Sequence, residues 1–412
     1  MDTDPVFFII CLLALFITIG LFHKELMEEY DILHSVNNEI DTSSMWDFIN
    51  IETYTGPLDI RIIVPAGSRG TESDAKIYHS IIPHSRIAYV DWDVQSTHPE
   101  AHVHAQINLY VEKVVGIEDN LFPSTYKWCM INQEMTPLNL PTFRAIDVFL
   151  CKSVYAQMLI NKIAASVSLK CRALLTKHTT EEISPIHSKD YNLIVHFAGK
   201  SWLKNTTKVI STWLENKGYL QFGSPVLVIT CRDRCLVDSD ELLRELAVNF
   251  TEHRDGSLRH ITYPNIRIYK TIPEEKYKHY LSTAGFFLCP SQVEGFGHYI
   301  NEGRSSGAVV ITTNAPPMNE LIDNTSGILV EISGDRENDG LPGSKDFVVT
   351  KEAIHDAIVA AKSLPIDNLR QLGRVARKRY EEDTRYVAST ITILCQEYEL
   401  KNDDNPVKVQ RI

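Results

Sequence analysis

Apolar residues in this chain come in short runs separated by stretches of helical spacing. The first clear run is Leu58 to Gly67, LDIRIIVPAG, which reads as a buried strand ending in a Pro/Gly turn. Similar runs follow at 86–90, 107–115, 127–131, 147–151 and 172–176, with helical periodicity between several of them, as from Ser153 to Ala165. A polar stretch, 177–190, interrupts the pattern. It then resumes at 191–199, 225–230, 265–269, 285–290, 308–314 and 327–332. Strands that are apolar on both faces and alternate with helices predict parallel sheets covered on both sides. The following segment, SGDRENDGLPGSKDF, reads as a surface loop. Ile354, Ile358 and Ala361, and then Val387, Ile391 and Leu394, keep helical spacing, so the chain is expected to end in helices. No repeat of 20–50 residues stands out.

Two such halves predict an α/β chain of two doubly wound, Rossmann-like domains facing each other, with a ligand in the cleft off the carboxyl ends of the strands. The expected boundaries are 58–185 for the N-terminal domain, placed to present an acceptor, and 186–375 for the C-terminal domain, with C-terminal helices and a tail over 376–412. Ahead of these lie 1–25, read as a single transmembrane helix, and 26–57, a polar stalk. The run Val6 to Phe22 is 17 residues without a charge. At ~1.5 Å rise per residue it reaches roughly 26 Å, the short end of a bilayer span. Asp2 and Asp4 stand where a cleaved signal peptide carries basic residues. Lys24, on the C-terminal side of the run, favours a cytosolic body under the positive-inside rule. Asn205, Asn249 and Asn324 are glycosylation sequons that would matter in a lumen, but Asn205 falls within the candidate site described next.

The 412 residues carry a net charge of −12, which disfavours nucleic acid as the main partner, because a phosphate backbone demands a basic face. Eight cysteines, Cys129, Cys151, Cys231 and Cys289 among them, read mostly as small core residues. Cys231 and Cys235 have no further ligands to complete a metal set.

The candidate chemistry centres on CPSQVEGFGHYINEG, Cys289 to Gly303. An apolar strand ends at Pro290, a turn Gly295-Phe296-Gly297 follows, and helical spacing starts near His298. Glycines permit close approach of a ligand, and a helix start directs unpaired N–H groups and a positive dipole end at it. Glu294 and Glu302, with seven residues between them, flank this anion cradle and can accept hydroxyl protons on both sides of it. A nucleoside diphosphate sugar has that layout: ribose, pyrophosphate, sugar. Lys200 and Lys204, just past the strand ending at Gly199, supply cations for the diphosphate. If a helix starts there, they share one face at i and i+4.

PSQVEGFGHYINE resembles the E-x7-E signature of group 1 retaining glycosyltransferases, also called glycosyltransferase family four, which have the GT-B fold. GKSWLKN is similar to that family's phosphate clamp, with Lys200 where arginine is more usual, and GAVVITTNAPPMNEL resembles its next strand and turn. The likeness covers roughly Asn192 to Val330; further toward the N-terminus only WCMINQEM and DVFLCKS are similar to some members. The resemblance implies that Glu294 contacts the donor sugar near the reacting carbon, and that Gly199, Gly295, Phe296 and Gly297 line the donor. It further implies that Glu302 holds the ribose, that Lys200 and Lys204 neutralise the diphosphate, and that the reaction retains configuration without a metal or other cofactor. A lysine lacks arginine's bidentate fork. The expected activity is transfer of a sugar to a hydroxyl of a glycan, lipid or protein. The alternatives are another GT-B reaction, epimerisation or phosphorolysis, and a non-catalytic sugar-nucleotide-binding scaffold.

Weaker signals compete. Asp91 and Asp93 resemble the metal-binding Asp-x-Asp of the other glycosyltransferase fold, GT-A. His98, His102 and His104 lie in one loop-like stretch. From their places at strand ends, Glu134, His178 and His104 are candidates for the acceptor side of the cleft. Arg374, Arg377, Lys378 and Arg379 read as a solvated basic face that would suit anionic lipid.

Overall fold

The structure, a computed structural model, describes residues 49–91, 98–117, 119–184, 188–231 and 240–403. The expected membrane helix and most of the stalk lie outside them, as does Asp93. Among the described residues no helix is long and apolar enough to cross a membrane.

The first sheet contains β1 (Ile60–Pro65), β2 (Arg86–Val90), β3 (Ala105–Val111), β4 (Ser124–Ile131), β5 (Val148–Cys151) and β6 (Arg172–Leu175). Its order is β2-β1-β3-β4-β5-β6, all pairs parallel. Alternate residues of each strand serve opposite cores: Ile62 and Val64 pack on one face, Ile63 on the other.

The second sheet contains β7 (Asp190–Gly199), β8 (Val226–Cys231), β9 (Phe250–Glu252), β10 (Ser257–His260), β11 (Ile266–Tyr269), β12 (Ala284–Cys289), β13 (Val309–Thr313) and β14 (Gly327–Val330). Its order is β14-β13-β12-β7-β8-β11-β10-β9. Only the β9–β10–β11 edge is antiparallel. From β7 the chain winds outward through β8, then restarts at β12 and winds the other way. The order therefore reverses between β7 and β12, which pair directly. A crevice opens at the carboxyl ends of strands at such a reversal. Gly199–Lys204 leave β7 there, and Pro290–Gly297 leave β12 beside them.

Three expectations about the second half are corrected. The segment read as a surface loop forms a hairpin, β15 (Ile332–Glu337) with β16 (Lys345–Val349). Its tip is buried in the first domain: Leu341 is 0% exposed within that domain's core, and its N–H donates to the Gln133 carbonyl at 2.8 Å. The polar residues misled because they ring one apolar anchor, and periodicity cannot register a single residue. The chain then ends in a helix 351–363 and one unbroken helix of 38 residues, Ile366–Asp403. The break expected at 375/376 falls inside this last helix, and the two halves of the helix pack on different domains. Leu369 and Ala376 join the cores of the second sheet, whereas Val387, Ile391, Leu394 and Tyr398 join the core of the first. Finally, Cys231, expected as a small core residue, is buried and disulfide-bonded, while Cys129, Cys151, Cys289 and Cys395 are buried and free.

Leu341→Ala removes a fully enclosed side chain at the domain boundary. It should cost about 2–5 kcal/mol, read as a lower midpoint in urea denaturation. Unchanged stability would show that the hairpin tip is not seated in that core.

Candidate active site

The turn after β12 owes its shape to Gly297, whose φ of +89° places it in the left-handed region as the residue before the helix His298–Ser306. A Cβ there would also come within 2.9 Å of Ile300. Ser291 donates to Glu294 Oε1 at 2.5 Å and is itself in a short hydrogen bond with the hydroxyl of buried Tyr299. Glu294 is thus held against the helix start. Lys204 joins this group: its ammonium lies 3.8 Å from the centroid of the Tyr299 ring. Glu302, the second glutamate of the pair, accepts from Tyr277 Oη at 3.3 Å. The thiol of Cys289, at the end of β12, is driven up by burial. Lys204 pulls it down and Glu294 and Glu302 push it up, so all three charges act on the end of this strand.

The lysines do not share a helix face. Gly199 has φ +64°, the chain turns, a short 3-10 helix spans Trp202–Lys204, and the α-helix begins only at Thr206. Lys204 is brought to the turn and Lys200 is left exposed. Asn205 is 4% exposed and donates to the Pro290 carbonyl at 2.7 Å, so this sequon ties the two loops together.

Across the cleft the first domain contributes residues from the ends of β3 to β6. His178 is 1% exposed, and its ring meets Phe296 edge-on at 4.7 Å. Glu134 stands just past β4 with its Oε2 buried, and burial pushes its carboxyl up to about 8. His104 does not belong here. It precedes β3, at the amino end of the sheet, is exposed, and touches only Thr125 at 3.5 Å. Position beside a strand was the sole ground for expecting it, and it stands beside the wrong end. His102 is exposed as well, and so is Asp91.

The strongest feature of the cleft was missed from the sequence. Asp74, on the helix Arg69–Ile81, accepts from His178 Nε2 at 2.7 Å and His298 Nε2 at 2.8 Å through Oδ1. Lys152, at the end of β5, holds Oδ2 at 3.2 Å and lies 3.6 Å from Glu112. Burial opposes the charge on Asp74, but Lys152 and then the two imidazoles outweigh it and hold the carboxyl well below its usual range. Asp74, His178 and His298 also have the donor types and closeness for a metal ion. Their hydrogen bonds point to another role: one oxygen serves both imidazoles, and the other is neutralised by an ammonium. His178 was expected on this side of the cleft from its place after a strand, and His298 had a cue as the first residue of the helix after the glycine turn; Asp74 and Lys152 had none. Asp74 and Lys152 lie 78 positions apart, and no local pattern joins them.

Further bonds cross the cleft. Gln133 Nε2 donates to the Glu294 carbonyl at 2.7 Å. Glu320 accepts from the N–H groups of Val154 and Tyr155 at 2.7 and 2.9 Å, at the start of the helix Val154–Val167.

Residues 258–338, which include both glutamates of the turn, match the model of the family "Glycosyl transferases group 1". Among solved structures, a glycosyltransferase from Rickettsia africae superposes with a TM-score of 0.58 at 13% identity, over 85% of this chain and 99% of that one. The fold is GT-B. The pneumococcal O-GlcNAc transferase GtfA, solved with UDP and GlcNAc, is also similar to this GT-B chain, with a TM-score of 0.52 at 15% identity. That match covers 71% of this chain and 57% of the pneumococcal one, so the GT-B chain spans little more than half of that relative. No curated protein matches it in sequence.

Burial lowers the His178 pKa from 6.5 to about 4. The unfolded chain then binds a proton that the folded chain refuses over that range. The contribution is full above pH 6.5 and lost as pH falls toward 4, by at most about 1.4 kcal/mol per pH unit. Denaturation midpoints of wild type and His178→Gln between pH 6.5 and 4.5 should show a shallower decline in the variant. Parallel declines would mean that His178 is not held neutral.

Proposed function

We propose that this chain transfers a sugar from a nucleoside diphosphate sugar to an acceptor hydroxyl, with retention of configuration and without a metal. One observation carries the reading: the Glu294–Gly297 turn, the start of the helix 298–306 and the Lys204 ammonium meet at the strand-order reversal of the second sheet. They face the polar strand ends of the first sheet. The group 1 family match over the same turn supports it, as does the UDP and GlcNAc held by the pneumococcal relative.

In this reading the diphosphate lies at the helix start, where the unpaired amides, the helix dipole and Lys204 stabilise negative charge. Glu302 lies five positions into the helix sequence and takes the ribose side; Glu294 takes the sugar side. As the bond from sugar to phosphate breaks, positive charge grows on the ring and negative charge on the departing diphosphate. Lys204 and the helix amides hold the latter. The acceptor hydroxyl enters on the leaving-group side, and its proton passes to a phosphate oxygen. His178, with Nε2 committed to Asp74 and Nδ1 free of protein partners, offers a lone pair to a hydroxyl in the cleft. Metal independence is supported by ammonium groups standing where a divalent ion would otherwise balance charge: Lys204 at the donor turn and Lys152 at Asp74.

The test is calorimetric titration of the full chain with nucleoside diphosphates, followed by transfer assays with their sugars. Lys204→Ala should weaken diphosphate binding about ten- to a hundredfold, the size of a lost charge-assisted hydrogen bond. Glu294→Gln should lower kcat on the order of 10²–10³-fold, as for loss of one electrostatic stabiliser. Absence of heat with every nucleoside diphosphate would rule the function out.

A further inference from the structure

Three consecutive residues past β4 share an unusual property. Asn132 Oδ1, Gln133 Oε1 and Glu134 Oε2 are all buried without a hydrogen-bond partner among the described residues. The amide nitrogens are occupied: Asn132 Nδ2 donates to Glu112, and Gln133 Nε2 donates to the Glu294 carbonyl. This fixes which way both amides point. Gln133 is 0% exposed. Native proteins leave few buried polar atoms unpaired, so three in a row on one loop require partners that the described residues do not supply.

The loop lies against the donor turn. A Cβ on Gly295 would come within 2.2 Å of Asn132 Oδ1 and 2.8 Å of Glu134 Oε1. Glycine is therefore what lets the turn that carries Glu294 meet this loop. From the other side a Cβ on Gly340 would come within 2.2 Å of the Gln133 carbonyl, so the hairpin tip fixes the loop from behind.

The chemistry of the free atoms restricts the ligand. The amide oxygens of Asn132 and Gln133 can only accept. The Glu134 carboxyl accepts and, while protonated, also donates one O–H. A sugar hydroxyl does both and can satisfy all three. A carboxylate or phosphate can only accept, so it leaves both amide oxygens unpaired and stands close to the carboxyl of Glu112, which holds Asn132. The Lys152 ammonium is already paired with Asp74 and Glu112.

We propose that Asn132, Gln133 and Glu134 form the N-terminal-domain wall of the subsite for the transferred sugar, and that this wall selects a neutral, hydroxyl-bearing sugar over one that carries a carboxylate. The proposal rests on the nucleotide-sugar reading above and moves Glu134 from the acceptor side, where its position in sequence put it, to the donor sugar. The groups that act on Glu134 are Glu112 after β3, Lys152 after β5 and Glu294 across the cleft. Burial, the largest influence, pushes its carboxyl up to about 8. Below that pH Glu134 is a neutral donor and acceptor. Above it, the added negative charge repels an anionic sugar further.

The uridine, guanosine, adenosine, cytidine and thymidine diphosphates are titrated into the full chain first, and the one that binds sets the base. The affinities of the matching neutral and uronate donors are then compared, as UDP-glucose with UDP-glucuronate or GDP-mannose with GDP-mannuronate. The neutral donor should bind at least tenfold more tightly at pH 7, and the ratio should widen as pH rises through 8. In Glu134→Gln the ratio should stop changing with pH. Failure of every nucleoside diphosphate to bind would overturn the donor reading, and this proposal with it. Binding of a diphosphate with equal affinities for the two sugars, or a wild-type ratio that tracks that of Glu134→Gln across pH, would overturn this proposal alone.

Discussion

The site is built around one buried carboxylate. Asp74 receives an ammonium and two imidazole N–H groups from three other parts of the chain: the end of β5, the segment after β6 and the first residue of the helix His298–Ser306. Removing a carboxylate from water costs several kcal/mol unless its oxygens are filled and its charge is matched. Those requirements are met only when the second domain brings His298 to the first. The desolvated charge therefore makes the relative placement of the helix His298–Ser306 and the N-terminal strand ends specific, because sliding one past the other would strip Asp74 of a hydrogen bond that water cannot fully replace there.

Apolar contacts reinforce that placement. The hairpin tip puts Leu341 into the first domain's core, and the last helix returns from the second domain to pack Val387, Ile391 and Leu394 under the first sheet. Both connections start in the second half of the sequence and end in the first half of the fold. They bring the carboxyl ends of two parallel sheets face to face, where glycine at 295 permits contact between loops from both. The resulting cleft has different chemistry on its two walls. The wall formed by the second domain offers the helix start and the Lys204 ammonium, chemistry suited to an anion. The opposite wall offers oxygen atoms and an imidazole nitrogen, suited to hydroxyls.

Carboxyl groups in this cleft differ through their surroundings. Asp74 keeps its charge because cations and N–H groups outweigh burial, whereas Glu134, with an unpartnered oxygen and other carboxyls nearby, is pushed the other way. The same residue class thus gives a fixed anion at one point and a neutral acid at another.

Much of this was legible in the sequence. Continuous apolar runs alternating with helical spacing determined two α/β sheets with parallel strands at their centres, since strands buried on both faces leave that mark; the short antiparallel edge β9–β10–β11 left none. The glycine turn between Glu294 and Glu302 marked one wall of the cleft, because strand, turn, helix start and flanking acids lie within one local stretch. Other features were decided only by the tertiary structure. Lys204 reaches the turn and Lys200 does not because Gly199 breaks the chain before any helix forms. Leu341 is an anchor because a pocket of the other domain receives it. Asp74, Lys152, His178 and His298 form one group only after four distant segments converge. Local spacing records what a segment's own backbone geometry repeats; a buried charge is balanced by whichever groups the fold brings to it, and no periodicity in the chain encodes that meeting.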